Sequence, residues 1–216
     1  VIVACVRTGA KYGTDYVYRL KAAVGRHLKQ PHRFVCLTDR PSELPDVETV
    51  DIARHRLEGW FGKMVLFEPT WRTGERVLYF DLDMAICCDL SPLAALETDF
   101  GICANFTKRF GFKNFACNYG SCVMTIGPGA MVHVWDEFSD DAKRWIGMAG
   151  PYGDQWIIEK LAPDATLLQD VLPKGYFIGY RELTGTKPPG CAVVAFGGRS
   201  KPHNCNEDWI AHAWTL

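Results

Sequence analysis

A chain of 216 residues fits a single domain, with room for a second small lobe. Hydrophobic residues make up 48% and the formal net charge is -1, a globular composition that excludes a disordered chain. The chain has no basic tail or stripe for nucleic acid, no apolar stretch of ~18 residues to span a membrane and no leader pattern. The expectation is therefore a cytoplasmic protein with neither partner, although Val1 in place of methionine leaves a trimmed or partial chain open.

The elements follow in chain order. Val1 to Val6 reads as a strand and Gly9 to Gly13 as a turn. Asp15 to Leu28 is helical, with Val17, Leu20, Ala23, Val24 and Leu28 on one face. Arg33 to Thr38 is a second strand, which completes a strand-helix-strand unit. A proline-bearing loop from Asp39 to Asp46 leads to a short edge strand, Val47 to Val50. Trp60 to Phe67 reads as a helix ended by Pro69, and Arg76 to Phe80 as a buried strand. Ala85 to Cys88 is extended, and Asp89-Leu90-Ser91-Pro92 caps a short helix to Leu96.

Phe100 to Ala104 is a strand, and Asn105 to Gly120 a long loop rich in aromatic residues and glycine. Ser121 to Ile126 returns as a strand, and Ala130 to Ile146 and Asp154 to Leu161 read as helices. Thr166 to Gln169, Tyr176 to Gly179 and Ala192 to Phe196 are further strands, ahead of a last short helix holding Trp209 and Ile210. The whole is α/β. Nine irregularly spaced cysteines contain no Cys-x-x-Cys. Most sit in apolar runs and read as small buried hydrophobes, with a Cys117–Cys122 bridge the weaker alternative.

Asp81 and Asp83 end the apolar strand Arg76-Val77-Leu78-Tyr79-Phe80. Aspartate is depleted in strands and rarely buried without a partner. Residues two apart in extended backbone point the same way, so both carboxylates face one site. A hard divalent cation, Mg2+ or Mn2+, is their natural partner; two incidental charges at a solvated strand end are the alternative. Open sheets bind ligands beyond the carboxyl ends of their strands, and this pair lies at such an end.

Asp154 and Gln155 follow Pro151-Tyr152-Gly153, where Asp154 either caps a helix or faces a pocket. Gly197-Gly198-Arg199-Ser200-Lys201-Pro202-His203 combines exposed amides with two cations, a phosphate grip or a plain surface turn. Lys63 stands mid-helix, snorkelling or reaching a site. The chain has no P-loop, no Gly-x-Gly-x-x-Gly and no Gly-x-Ser-x-Gly.

Together these blocks resemble the GT-A glycosyltransferases, and among them the retaining family 8-like group that includes glycogenin and the lipooligosaccharide galactosyltransferases. The resemblance rests on Val3-Ala4-Cys5-Val6 with Tyr12, Gly62-Lys63-Met64, Leu78-Tyr79-Phe80-Asp81-Leu82-Asp83, Asp89-Leu90-Ser91-Pro92-Leu93, Gly153-Asp154-Gln155 and Phe196-x-Gly-x-x-Lys201-Pro202. It covers most of the chain and implies one GT-A domain with a mostly parallel mixed sheet. Residues 1–90 would bind the nucleotide, and residues 91–216 the donor sugar and acceptor.

The resemblance implies transfer of a sugar from a nucleoside diphosphate, such as a UDP-sugar, to a carbohydrate or other hydroxyl acceptor, with retention. Asp81 and Asp83 would hold Mn2+ or Mg2+ on the diphosphate, and Asp81 would also reach the ribose. Lys63 and Lys201 would meet the phosphates, and Thr8 and Tyr12 the nucleoside. Asp154 and Gln155 would face the reacting sugar. Two positions depart from the family pattern. Ala195 stands where a metal-ligating histidine is expected, so that His203, or water and phosphate, would complete the metal site. Gly120-Ser121-Cys122-Val123-Met124 keeps only Val-Met of an Asn-x-Gly-Val-Met element, with Asn118 close by for the sugar.

A nucleotidyltransferase is one alternative, and a weakened sugar-nucleotide-binding protein another. A glycoside hydrolase would need two carboxylates flanking the bond, which one short segment does not supply.

Overall fold

The computed structural model describes residues 1–106 and 117–216. Phe110, Gly111, Phe112 and Phe115 of the aromatic loop lie outside the described residues.

The first apolar run forms β1 (Ile2–Arg7), followed by α1 (Thr14–His27), β2 (Arg33–Thr38) and β3 (Glu48–Asp51). Residues Ile2 to Cys5 are all buried because both faces of β1 are covered. Val3 and Cys5 pack with Val17, Leu20 and Val24 of α1, while Ile2 and Ala4 pack with Met64 to Phe67. β4 (Val77–Phe80) and the short β5 (Met84–Ile86) bracket the two aspartates.

α2 (Ser91–Ala94), β6 (Phe100–Ala104) and β7 (Tyr119–Ile126) come next. After them run α3 (Val132–Asp140), α4 (Ala142–Ala149), α5 (Asp154–Leu161), β8 (Thr166–Leu167), α6 (Leu168–Val171), β9 (Phe177–Gly179), β10 (Val193–Ala195) and α7 (Asp208–Ala213).

The main sheet has the order β3-β2-β1-β4-β7-β6-β8. All neighbours are parallel except those of β7, which runs against both β4 and β6. A smaller sheet, β5-β10-β9, stands beside it. The chain moves outward from β1 to β3 and returns on the other side of β1 as β4. The β1–β4 boundary is therefore a topological switch point, where the ends of neighbouring strands open a crevice. Asp81 and Asp83 stand at the end of β4, and Thr8 at the end of β1.

Three expected elements differ. The 59–67 segment is a 3-10 run, Gly59–Phe67, rather than an α-helix. It is buried from Gly62 to Phe67, and Gly62 lies so close to β1 that a Cβ there would come within 2.7 Å of the Thr8 methyl. Packing thus overrides helix propensity. The expected helix 130–146 is broken at Asp141, whose backbone leaves the helical region and whose side chain accepts from Arg144 N, capping α4. Of the expected strand 166–169 only β8 forms, and α6 begins at Leu168. Among the described residues no helix is long and apolar enough to cross a membrane.

Candidate active site

A cavity of about 580 Å3 opens at the switch point, a size suited to a small molecule. Asp81 from the end of β4, Lys63 from the 3-10 run, Ser121 and Cys122 from β7, and Asp154 and Gln155 from α5 line it. On the far side it meets Arg181, Ala195 and the Gly197-Gly198 turn, and aromatic walls come from Trp60, Phe106, Tyr152, Tyr180 and Phe196. The rings of Tyr180 and Phe196 stack at 4.7 Å.

Lys63 ties three elements together. Its ammonium lies 2.9 Å from Asp81 Oδ1 and 3.5 Å from Asp154 Oδ2, and donates to the Ser121 hydroxyl at 3.1 Å. Burial works against its charge, but Asp154 and then Asp81 outweigh burial and raise its pKa, so it remains an ammonium. Asp81 also accepts from the Tyr79 hydroxyl at 2.5 Å, and its amide continues the ladder to Cys122 O at 2.8 Å. Burial raises the Asp81 pKa; Lys63 opposes the rise and Asp83 adds to it.

Asp83 is 5% exposed. It accepts from the Tyr12 hydroxyl at 2.9 Å and from Lys201 Nζ at 2.6 Å. Burial and then the Asp83 charge push the Tyr12 pKa up, which keeps its phenol a donor. The Thr8 hydroxyl donates to Gly59 O at 3.1 Å, joining the end of β1 to the start of the 3-10 run.

Asp154 does not cap its helix. Gly153 occupies the cap position, with φ +66 and no side-chain cap bond, and Asp154 is the first helical residue. It is 4% exposed, and its Oδ2 makes no hydrogen bond. A buried carboxylate oxygen left in this way, at a cavity wall, is what a ligand hydroxyl or a developing positive charge would satisfy.

The structure thus brings together Lys63, Asp81, Asp154 and Gln155 in the cavity, with Tyr12, Asp83 and Lys201 joined to one another beside it. Asn118 does not line the cavity; its side-chain amide donates to Glu159 at 2.6 Å. His203 does not line it either, and its Nδ1 is hydrogen-bonded with the Tyr16 hydroxyl. Cavity residues that the motifs did not single out are Trp60 and Arg181. A Cβ on Gly153 would meet Trp60 at 2.7 Å, so the Gly153-Asp154-Gln155 block and Trp60 are one packed unit.

The donor set does not fit a protein-held divalent cation. Among the described residues no three His, Cys, Asp or Glu side chains gather as metal ligands. Ala195, where the family pattern puts an imidazole, pairs with Met84, the residue after Asp83, across β10 and β5 and offers no ligand atom. The expected completion by His203 is not formed, because that ring faces Tyr16. An oxygen of each aspartate already meets an ammonium.

No protein-family model and no curated protein matches the sequence. Solved structures do match in fold. The galactosyltransferase LgtC, in complex with donor and acceptor sugar analogues, aligns with a TM-score of 0.68 at 15% identity, covering 99% of this chain and 95% of that one. The glycosyltransferase GlyE of Streptococcus pneumoniae TIGR4 aligns at 0.68 and 15% identity over 100% of this chain, which spans 60% of GlyE. The bifunctional glycosyltransferase WbbM aligns at 0.64 and 11% identity over 99% of this chain, which spans 49% of WbbM. The mixed seven-stranded sheet with its crevice between β1 and β4 is therefore the GT-A fold that these glycosyltransferases share.

Proposed function

We propose that this chain is a glycosyltransferase that moves a sugar from a nucleoside diphosphate to an acceptor hydroxyl, with retention at the anomeric carbon. The observation that carries the reading is Asp154: a buried carboxylate oxygen without a hydrogen bond, 3.5 Å from Lys63, in the wall of a cavity at the switch point.

The transition state of sugar transfer resembles an oxocarbenium ion, with negative charge growing on the leaving oxygen. Asp154, and the amide of Gln155 beside it, would face the cationic sugar. Lys201 and the amides of the Gly197-Gly198 turn would face the diphosphate, a fixed electrostatic arrangement that needs no reorganisation as charge develops. With retention the acceptor attacks from the face that the diphosphate leaves. The departing phosphate can take the acceptor proton, so the protein need not supply a base. Thr8 and Tyr12 would flank the nucleoside. Trp60, Phe106 and Tyr152 give apolar ring faces on which a sugar acceptor can stack.

The test is incubation with a panel of nucleotide sugars and simple glycoside acceptors, with nucleoside diphosphate release measured and the anomeric configuration of the product read by NMR. Asp154→Asn should lower kcat by ~100-fold while leaving nucleoside diphosphate affinity near wild type. An unchanged kcat removes Asp154 from the reaction. Ala195 favours a second reading, a sugar-nucleotide-binding protein without turnover; binding of a donor with no transfer to any acceptor would establish it. Pyrophosphate release from a nucleoside triphosphate and a sugar phosphate would instead identify a nucleotidyltransferase.

A further inference from the structure

We propose that Arg181, resting on the Gly197-Gly198 turn, joins Lys201 in gripping the donor diphosphate, and that the diphosphate binds without a divalent metal ion. The inference rests on the sugar-nucleotide reading above and assigns the cations of that site.

Two side-chain cations already stand where a metal would bridge the aspartates. Lys63 donates to Ser121 and lies 2.9 Å from Asp81 and 3.5 Å from Asp154, so its charge is spent on the end of β4 and on Asp154. Lys201 is used differently. It contacts Asp83 at 2.6 Å, which leaves two of its three N–H groups for a ligand. Asp83 is in turn held by Tyr12, so the carboxylate serves as an anchor that aims the Lys201 ammonium.

Arg181 supplies the other half of the grip. It follows β9 and lines the cavity with Ala195, Gly197 and Gly198. Its Nη2 lies 3.1 Å from where a Cβ on Gly198 would be, so the guanidinium rests directly on the turn. Gly198 has φ +67, a conformation that a side chain would strain, and the missing side chain leaves room for the arginine. Among the described residues Arg181 makes no hydrogen bond and no ion pair, although every other cation of the site is paired. An uncompensated guanidinium beside exposed amides is suited to bidentate recognition of phosphate oxygens. The methyl of Ala195 keeps this flank open to it.

The test is isothermal titration of UDP, GDP, ADP and dTDP into the full chain, once in excess EDTA and once in excess manganese or magnesium chloride. At least one diphosphate should bind in EDTA, with an affinity within about threefold of that in metal. Arg181→Gln and Lys201→Gln should each weaken it about tenfold or more under both conditions. Manganese chloride titrated alone should give no binding heat. Arg181 is exposed, so its variant tests the grip even if Lys201→Gln melts early. Binding that appears only with metal overturns the inference and leaves the transferase reading standing. An Arg181→Gln affinity equal to wild type overturns the grip. A folded protein that binds no diphosphate in either salt removes the transferase reading itself.

Discussion

Lys63 meets oxygens from three elements: Asp81 after β4, Ser121 in β7 and Asp154 at the start of α5. Its replacement by an isosteric apolar side chain strands two carboxylates with little solvent. Breaking a buried pair by removing one partner costs about 3–5 kcal/mol, mostly from the charge left behind. Lys63→Met should therefore lower the melting temperature by about 10 °C, read by circular dichroism. A double variant, Lys63→Met with Asp81→Asn, should recover part of that loss. An unaltered melting temperature in the single variant would mean that water already screens the carboxylates. Asp81 and Asp83 stood out in the sequence as carboxylates needing partners. Their partners, Lys63 and Lys201, were both visible as candidates for the phosphates. What residue patterns could not show is that each would be spent on an aspartate, because such pairing is fixed only when distant segments pack.

At the scale of elements, α5 and its lead-in decide the reach of the cavity. Gly153 needs φ +66 to turn the chain from Pro151-Tyr152 into the helix, and its open side is filled by the Trp60 indole. Gly153→Ala puts a Cβ in an extended positive-φ backbone (φ +66, ψ -154) that is essentially confined to glycine, at a cost of about 1–3 kcal/mol, and pushes on Trp60 as well. The helix should survive, with Asp154 displaced. A shift of that kind far exceeds what catalytic positioning tolerates, and kcat/KM for the donor should fall about tenfold or more while the midpoint of urea unfolding moves only modestly. If kcat/KM stays at wild type, α5 does not position the reacting group. The limits of α5 were readable from its glycine and proline punctuation, and β2 and β6 from their apolar runs. The 3-10 winding of Gly59–Phe67 and the break at Asp141 were not. In both, local propensity favours an α-helix, and burial against β1 or a side-chain cap overrides it.

Over the whole molecule, the end of the chain closes on its beginning. Trp214, after α7, packs edge-on against Tyr16 at 5.2 Å, and Arg19 and Arg26 of α1 donate to the carbonyls of Trp214 and Ala213. Tyr16 reaches Tyr12 at 4.8 Å and His203 by its hydroxyl, so the clasp borders the segment that carries Lys201. Trp214→Ala should cost about 3–5 kcal/mol, as for other large buried aromatics. Beyond lowering the melting temperature, it should weaken diphosphate binding measured by calorimetry, although Trp214 does not line the cavity. Binding equal to wild type in that variant would show that the clasp and the site are independent. The parallel half of the sheet was legible because β1, α1 and β2 form one contiguous unit. The reversed direction of β7 and the small β5-β10-β9 sheet were not, since strand pairing across long separations leaves no local mark.

The Lys201–Asp83 contact joins residues 118 positions apart. Closing so long a loop gives no reward until the chain has reached residue 201. During synthesis, β1 to β4 can pair while the segment that carries Lys201 is still inside the ribosome, and Asp83 then has Tyr12 for company but no ammonium. Asp83 thus acquires its ammonium only once residue 201 has emerged. Most of the main sheet is laid down in sequence before the ammonium that neutralises Asp83 has been made.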